Sequence, residues 1–333
     1  MVIALENFPE SLLMGIGVTS SAGIFGTTLE ANKRFGSARL IDTPAMENAL
    51  AGIAAGASLV GLNPVVIHAR NDFALLSMDQ FVNVYSKWLH MFDGNAGSIG
   101  VTTRLIIGRG WGQGATHSQS IQSVLAHFPG LRVVMPAFAS DAKGMLLAAI
   151  KCKDPVMILE HRNLYTLSEN VQTGIVFSSL EGARVVVDGT DVTIVASSIC
   201  VHESIRAAQE LSQKGISAEV IDLRVVQPLD FQTVARSVQK TGKLIIVDTS
   251  WTNYGVSAEI GARISEMPKY PLNAPLVRIG QSPNPAPTSK VLEEEHHPNF
   301  ETIFNAAIKL FDAEVNSRTE FTESSFQDFQ GPY

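Results

Sequence analysis

The sequence has few cysteines, few charged residues and no cluster of basic residues. Cys152 and Cys200 are its two cysteines among 333 residues, and neither has a cysteine or histidine neighbour at the spacing of a metal ligand. A disulfide framework is therefore excluded, and a reducing, cytoplasmic setting is expected. The formal net charge is -7 without a run of lysine or arginine, which argues against nucleic acid as a partner.

Long hydrophobic runs are also missing. The apolar stretches are interrupted by Gly, Asp or Lys well before the roughly 20 residues that a membrane span needs. The N-terminal segment MVIALENFPE has no basic region followed by an apolar core, so we expect no signal peptide and no contact with a membrane. Hydrophobic residues make up 45% of the chain and charged residues only 17%. This balance predicts a protein whose surface is partly covered by other chains.

Short β-branched runs alternate with helical segments, and the alternation restarts after a polar, irregular stretch. This pattern is typical of doubly wound parallel sheets, and the length suffices for two domains. We predict an α/β fold with domains at residues 1–165 and 183–313, a linker at 166–182, and a polar tail at 314–333 that is disordered or lies along a partner.

The elements predicted for the first half set the frame for its candidate site. Strands are predicted at 12–18, 39–41, 64–69, 103–107, 131–135 and 155–160. Long helices are predicted at 75–92 and 141–150, and a further helix is predicted to begin near Ser118. Loops that follow these strands would meet at the carboxyl edge of the sheet, where ligands bind in such folds.

A helix built almost wholly of small residues follows the second predicted strand. It is predicted from Glu47 to Val60, with Asp42 or Thr43 capping its start and Gly61 ending it. Because Ala and Gly let other backbone approach closely, we expect this helix to be packed on several sides and Glu47 to be shielded from water. The alternative is that Glu47 is simply an acid favoured by the helix dipole.

The segment Gly108–Gly114 contains four glycines in seven residues. Its spacing is not that of a dinucleotide fingerprint, and no lysine of the P-loop type follows, so a phosphate-binding loop is the weaker interpretation. The stronger one is a loop whose backbone approaches another part of the protein or a ligand closely. His117 follows this loop and is suited to proton transfer or to polarising a carbonyl, with a structural histidine as an equal alternative.

Two further segments carry candidate side chains. Phe73 follows a buried strand and belongs either to the core or to a flat surface that receives a ring. The tract Glu293–His297 (EEEHH) resembles a metal-binding sequence, but its spacing does not match a helical ligand pair. We therefore predict a solvated loop there.

Over nearly its full length the sequence resembles the beta subunits of thiamine-diphosphate-dependent 2-oxo acid dehydrogenases, of the pyruvate, branched-chain 2-oxo acid and acetoin dehydrogenase type, which are relatives of transketolase. The segments that carry the resemblance are DTPAMENALAGIAAGASLVGLNPVV, NDFALLSMDQ, ATHSQS, PGLRVVMPAFASDAKGMLLAAI, DPVMILEHRNLY, DGTDVTIVAS, AEVIDLRVVQPLD, SVQKTGKLIIVD and NPAPTSKVLE. The resemblance implies an N-terminal pyrimidine-binding domain and a C-terminal transketolase-like domain. It also implies decarboxylation of a 2-oxo acid and transfer of the resulting acyl or aldehyde unit to an acceptor.

The resemblance further implies roles for individual residues. Glu47 would bind a ring nitrogen of the cofactor's aminopyrimidine and favour the imino form that takes a proton from the thiazolium carbon. Phe73 would stack on the aminopyrimidine, and His117 would hold the substrate or the covalent intermediate. Arg70 and Arg109 lie where relatives differ and would meet an anionic or polyhydroxylated substrate, with structural pairing as an equal alternative.

One motif of the wider family is missing from the sequence. The G-D-G…N motif, which holds Mg²⁺ and the diphosphate, is absent, and the DG dipeptides after Phe92 and Val187 do not replace it. The resemblance therefore implies an alpha subunit that carries this half of the site, in an α2β2 heterotetramer, and a lipoyl acyltransferase core as a further candidate partner. A potassium ion bound by backbone carbonyls of Ala149, Cys152 and Asp154 is an additional expectation.

The segment Gly15–Val18 departs from the family pattern. Relatives commonly carry an acidic residue there, near the active site, so its replacement by GIGV suggests a different substrate. A split transketolase, or a carboligase that forms acyloins or ketoses, is the alternative enzyme. A non-catalytic scaffolding paralogue is the alternative from another class.

Overall fold

The computed structural model describes residues 1–110, 112–267 and 272–311. Trp111 of the glycine-rich loop and the predicted tail 314–333 lie outside the described residues. The strands are β1 (Ser11–Gly15), β2 (Leu40–Asp42), β3 (Asn63–His68), β4 (Thr102–Ile107), β5 (Arg132–Val134), β6 (Val156–His161), β7 (Arg184–Val187), β8 (Val192–Ala196), β9 (Ala218–Asp222), β10 (Val225–Gln227), β11 (Leu244–Trp251) and β12 (Val277–Gln281).

Helices cover the faces of the two sheets that these strands form. They are α1 (Val2–Asn7), α2 (Leu29–Phe35), α3 (Glu47–Leu59), α4 (Trp88–Met91), α5 (Gln122–Ala126), α6 (Ala139–Lys151), α7 (Ile199–Gln213), α8 (Phe231–Thr241), α9 (Val256–Ser265), α10 (Lys290–His296) and α11 (Phe300–Leu310). No helix in the described ranges is long and apolar enough to cross a bilayer.

The strands confirm the predicted α/β architecture. The first sheet has seven strands in the order β10-β5-β6-β4-β3-β1-β2, and the second has five in the order β12-β11-β8-β9-β7. All neighbours pair in parallel except β10 with β5 and β7 with β9. Every residue of β4, TTRLII, is buried, as expected for a parallel strand with helices on both faces.

The carboxyl edge of the first sheet contains a topological switch point. β1 lies between β2 and β3, so the two strands that follow it in the chain are placed on opposite sides of it. In open α/β sheets such a point opens a crevice where ligands bind. The segments that follow β2, β3 and β4 carry the candidate residues of the sequence analysis, and they all begin at this edge.

The second half of the chain contributes a strand to the first sheet. Val225 of β10 pairs with Val134 of β5 in antiparallel register. Next to this strand, Arg224 forms an ion pair with Asp141 of α6, with 2.7 Å between Nη2 and Oδ1. The two halves are therefore joined by backbone pairing and by charge, while the domain boundaries around 166–182 stay a prediction.

The small-residue helix α3 is approached closely by its neighbours, as predicted. Ser77 Oγ donates to the carbonyl of Glu47 at 2.8 Å, and Tyr85 Oη donates to the carbonyl of Ala51 at 2.8 Å. The segment 75–92, predicted as one long helix, is helical but not as one regular α-helix. The chain forms a 3₁₀ segment at Asn71–Ser77, a π-helical turn at Gln80–Tyr85 and the short α4.

Two expectations about helix starts are also corrected. Neither Asp42 nor Thr43 caps α3, whose N-cap residue is Met46 without a side-chain cap. The Asp42 carboxylate instead accepts from the backbone N–H groups of Gly17 and Thr19, at 2.9 and 3.1 Å, and from the Thr19 hydroxyl. The helix expected near Ser118 begins only at Gln122, as α5.

Candidate active site

Glu47 opens α3 with a carboxylate that is largely withdrawn from solvent. The residue is only 7% exposed, so the expectation of a shielded acid is confirmed. Among the described residues none donates a hydrogen bond to its carboxylate, although Ser77 binds its backbone carbonyl. Buried polar groups normally have hydrogen-bond partners. Glu47 is therefore available to a ligand that brings a donor or acceptor of its own.

Phe73 and His117 meet at the same edge of the sheet. Their rings are perpendicular, with centroids 5.2 Å apart. Phe73 is 42% exposed, so its ring belongs to the surface of the site and not to the core. His117 shares a hydrogen bond between Nδ1 and Thr116 Oγ1 at 2.8 Å. Within the described part of the chain, Nε2 is the ring nitrogen left for a ligand.

Hydrogen bonds between Asp72 and Gln119 connect the segment that carries Phe73 with the segment that carries His117. Asp72 Oδ1 accepts from the backbone N–H of Gln119 at 3.2 Å and from its side-chain Nε2 at 2.8 Å, while Asn71 Nδ2 donates to the Gln119 carbonyl at 3.2 Å. Burial raises the pKa of Asp72, and the bonds from Gln119 offset part of this effect. The sequence analysis did not identify Gln119, although the ATHSQS run contains it.

Arg70 packs beside the site in two polar contacts. Its Nε donates to Gln113 Oε1 at 2.7 Å and its Nη1 to the Ala69 carbonyl at 2.9 Å. The guanidinium also lies 4.7 Å from the ring centroid of Phe25. Burial lowers the pKa of Arg70, and nearby Asp72 opposes that shift. These contacts anchor Arg70, and a role in substrate binding stays a prediction.

Arg109 belongs to the glycine-rich loop and contacts the second half of the chain. Its Nη1 donates to the backbone carbonyl of Glu293 at 3.3 Å. Its own carbonyl accepts from Arg162 Nε at 3.0 Å. Arg109 is therefore placed between a buried arginine of the first half and a helix of the second, and its role toward substrate is also a prediction.

The glycines of this loop are required by close approach, as predicted. Gly112 and Gly114 have φ angles of 66°, which side-chain-bearing residues rarely adopt. A Cβ on Gly114 would lie 2.6 Å from Thr288 Cγ2, and one on Gly112 would lie 3.2 Å from the Thr288 carbonyl oxygen. The part of the protein that approaches these two glycines is thus the second half of the chain.

The solvated loop predicted at Glu293–His297 is wrong. The tract belongs to α10 and its C-terminal end, and Glu293, His296 and His297 are buried. Glu293 Oε1 accepts from the backbone N–H of Gly110 at 3.1 Å, which gives the acid a partner inside the protein. Burial, together with nearby Arg109, lowers the pKa of His297 to about 2, so this imidazole is neutral.

A small polar cavity lies behind the glycine-rich loop, between the two halves. Its volume is about 40 Å³, enough for a few water molecules. Residues of both halves line it, among them Arg109, His161, Asn163, Glu203 and His297. The sequence analysis missed this cavity because its walls come from distant parts of the chain.

In residues 1–110, 112–267 and 272–311, no group of three His, Cys, Asp or Glu side chains is placed to hold a metal. At the proposed potassium loop, the Ala149 carbonyl accepts from the backbone N–H of Cys152 at 3.0 Å, and Asp154 Oδ2 accepts from Arg132 Nε at 2.9 Å. Both cysteines are free thiols, as expected.

Two family models match the chain. The transketolase pyrimidine binding domain matches residues 4–168, and the transketolase C-terminal domain matches residues 181–303. The beta subunit of acetoin:2,6-dichlorophenolindophenol oxidoreductase from Cupriavidus necator is 37% identical, over 86% of this chain and 84% of that protein. The mitochondrial pyruvate dehydrogenase E1 component subunit beta from Bos taurus is 36% identical, over 92% of this chain and 86% of that protein.

Solved structures show the same fold. A split gene transketolase, described as an inactive beta4 tetramer, superimposes with a TM-score of 0.74 at 21% identity, over 93% of this chain and 95% of that one. Transketolase from Leishmania mexicana gives a TM-score of 0.69 at 19% identity, over 92% of this chain and 44% of that one.

Proposed function

The chain belongs to the transketolase-like family, among the beta subunits of thiamine-diphosphate-dependent 2-oxo acid dehydrogenases, and we propose that it is the beta half of a two-component enzyme of this kind. In the proposed reaction a 2-oxo acid loses CO₂ and the remaining acyl or aldehyde unit passes to an acceptor. The observation that carries the proposal is the buried carboxylate of Glu47, to which none of the described residues donates, on the segment that follows β2 and so at the same sheet edge as the paired rings of Phe73 and His117.

These residues fit the pyrimidine half of thiamine diphosphate. Glu47 would hold a proton at the ring nitrogen of the aminopyrimidine in a site from which water is largely excluded. Phe73 would offer its accessible face to that ring, and His117 Nε2 would face the carbonyl of the substrate. The cofactor supplies the electron sink for cleavage of the bond next to the carbonyl.

We propose that an alpha subunit completes the site. The sequence lacks the G-D-G…N motif, so the diphosphate and Mg²⁺ would be held by that partner. Large apolar side chains on the segments that follow β2 and β3 are exposed, among them Ile53, Leu76 and Met91. Such patches are typical of protein interfaces and support an α2β2 heterotetramer. The potassium ion at Ala149–Asp154, a lipoyl acyltransferase partner and a cytoplasmic location stay predictions.

A titration of thiamine diphosphate and Mg²⁺ by calorimetry tests the split site. It is made on this chain alone and on the chain co-purified with the alpha subunit encoded beside it. We expect binding only to the complex, together with CO₂ release from a 2-oxo acid such as pyruvate. Tight binding to the lone chain would contradict the two-subunit proposal.

A split transketolase or carboligase is the second candidate. It is supported by the acid-free segment Gly15–Val18 and by Arg70 and Arg109, cations on the segments that follow β3 and β4. Ketose transfer without CO₂ release by the reconstituted complex would favour it. A purely scaffolding role predicts neither activity, and the joint presence of Glu47, Phe73 and His117 argues against that role.

A further inference from the structure

Glu293, in the second half of the chain, binds two residues of the glycine-rich loop. Its side-chain Oε1 accepts from the backbone N–H of Gly110 at 3.1 Å, and its backbone carbonyl accepts from Arg109 Nη1 at 3.3 Å. Glu293 is only 4% exposed. The carboxylate of Glu293 thus fixes Gly110 and its backbone carbonyl binds Arg109, and a hydrogen bond to a charged group such as this carboxylate is stronger than a neutral one.

Thr288 forms a second contact between the same parts of the chain. Its carbonyl and its methyl group lie where Gly112 and Gly114 would carry side chains. The loop therefore fits against residues 286–288 without space between them. A displacement of α10 would move the loop with it.

The loop in turn positions two groups of the site. The backbone N–H of His117 donates to the carbonyl of Gly114 at 3.3 Å. Arg70 Nε donates to Gln113 Oε1 at 2.7 Å. Hydrogen bonds therefore connect the C-terminal end of the loop to the side chain of Arg70 and to the backbone of His117.

Arg162 holds the loop from the opposite direction. Its Nη2 donates to the carbonyl of Gly108 at 2.7 Å and its Nε to the carbonyl of Arg109 at 3.0 Å. Burial and, to a lesser degree, nearby Arg70 lower the pKa of Arg162, and the charge of Glu293 opposes both effects; the pKa is about 9. The loop is thus fixed between a cation of the first half and an anion of the second.

We propose that Glu293 is a positioning residue for the substrate side of the active site. It keeps the loop in the place that His117 and Arg109 need to meet the substrate, and so makes turnover depend on the second half of the chain. The part of this proposal that concerns substrate rests on the proposed function, whereas the part that concerns the loop does not.

The loop is tested first, by hydrogen exchange on the assembled complex of Glu293→Ala. Because a hydrogen bond to a charged group is lost, we expect amide exchange in residues 108–117 to become about tenfold faster. Glu294→Ala is the matched control, since Glu294 is exposed on the same helix. Glu293→Gln keeps an oxygen that can accept from Gly110, so its exchange should lie between the two. Equal exchange in Glu293→Ala and Glu294→Ala would overturn the proposal.

Kinetics then separate positioning from general damage. In Glu293→Ala we expect the KM for the 2-oxo acid to rise about tenfold, with a smaller change in kcat. The affinity for thiamine diphosphate should stay unchanged, because Glu47 and Phe73 belong to segments that Glu293 does not hold. Equal losses of cofactor affinity and substrate KM, or an unchanged KM, would overturn the positioning role.

Failure of the proposed function gives a different result. In that case no variant, including the natural chain, turns over a 2-oxo acid, while the exchange difference between Glu293→Ala and Glu294→Ala remains. If Glu293→Ala does not assemble, Glu293→Gln carries the test, with intermediate exchange supporting the proposal and control-like exchange and KM overturning it.

Discussion

At the residue scale, Glu47 shows how packing prepares a carboxylate for chemistry. The Ala and Gly residues of α3 let the segment 71–85 approach, and this segment covers the start of the helix. The carboxylate is thereby shielded while none of the described residues donates to it. We propose that this carboxylate binds the cofactor, because buried polar groups normally have a hydrogen-bond partner.

Glu47→Gln tests this interpretation. Gln has nearly the same shape but cannot hold or release the proton, so we expect kcat to fall at least about a hundredfold. Assembly with the alpha subunit should be retained, as checked by size-exclusion chromatography, and the exposed Glu10→Gln serves as the control. Unchanged turnover would remove Glu47 from the mechanism.

His117→Ala tests the other side of the site. Because His117 packs edge-on against Phe73 and leaves Nε2 open, we expect kcat with the 2-oxo acid to fall about a hundredfold. The affinity for thiamine diphosphate, measured by calorimetry, should change little. Parallel losses in both measurements would make His117 a structural residue.

At the scale of the elements, neighbouring strands β4 and β6 are joined by a buried ion pair. Arg104 contacts Glu160 through two bonds of 2.6 Å, and Tyr165 Oη donates to the same carboxylate at 2.7 Å. Burial would raise the pKa of Glu160, but Arg104 and Tyr165 lower it below its usual value. Arg104 lies in β4, the strand whose end carries the glycine-rich loop.

Glu160→Gln should therefore be strongly destabilising. It leaves the Arg104 charge buried without a counter-ion, for which we expect a loss of about 3–5 kcal/mol in the free energy of unfolding. Denaturant unfolding measures this loss. The double change Arg104→Met with Glu160→Met should recover most of it, and a double variant as unstable as the single one would contradict the argument.

Sequence patterns predicted those elements whose signal is local. The β-branched runs of β3 and β4 and the small residues of α3 give nearly the observed bounds. The strands β10 and β12 were missed, since β10 is short and pairs with β5, far away in the sequence. The helix α10 was predicted as a solvated loop because three consecutive acidic residues indicate exposure to solvent, whereas Glu293 is buried and binds Gly110.

The candidate site was predictable to a similar degree. Glu47, Phe73 and His117 each follow a strand of the first sheet, so their meeting at one edge follows from topology. The partner of the glycine-rich loop was not predictable, because Thr288 and Glu293 belong to the other half of the chain. The hydrophobic pattern of a segment does not indicate which distant segment it contacts.

At the scale of the whole molecule, a charge cluster joins the two halves. Arg184 and Arg224 bind Asp141 of α6, and Asp222 at the end of β9 lies beside them, 3.5 Å from Arg184. Burial raises the pKa of Asp222 to about 7, against the opposing effect of Arg184. The Asp222 carboxyl therefore keeps its proton up to about pH 7 in the folded protein, whereas in the unfolded chain it loses the proton near pH 4.

The pH dependence of stability follows from this difference. Between about pH 4 and 7 the folded state holds more protons than the unfolded chain, so this group lowers the free energy of unfolding by a few kcal/mol as pH rises. Asp222→Asn, which imitates the protonated form, should remove that decline and be the more stable protein at pH 8. Thermal unfolding from pH 5 to 8 measures it, and parallel profiles would contradict the assignment.

The strand β10, which the second half contributes to the first sheet, also affects folding during synthesis. Until residue 227 has left the ribosome, β5 remains an open edge with unpaired backbone groups, the kind of edge that promotes aggregation. A gene cut at the linker would leave the first half in this state permanently. Exchanging one half of the chain between relatives would thus leave the first sheet incomplete, unless β10 is transferred together with the first half.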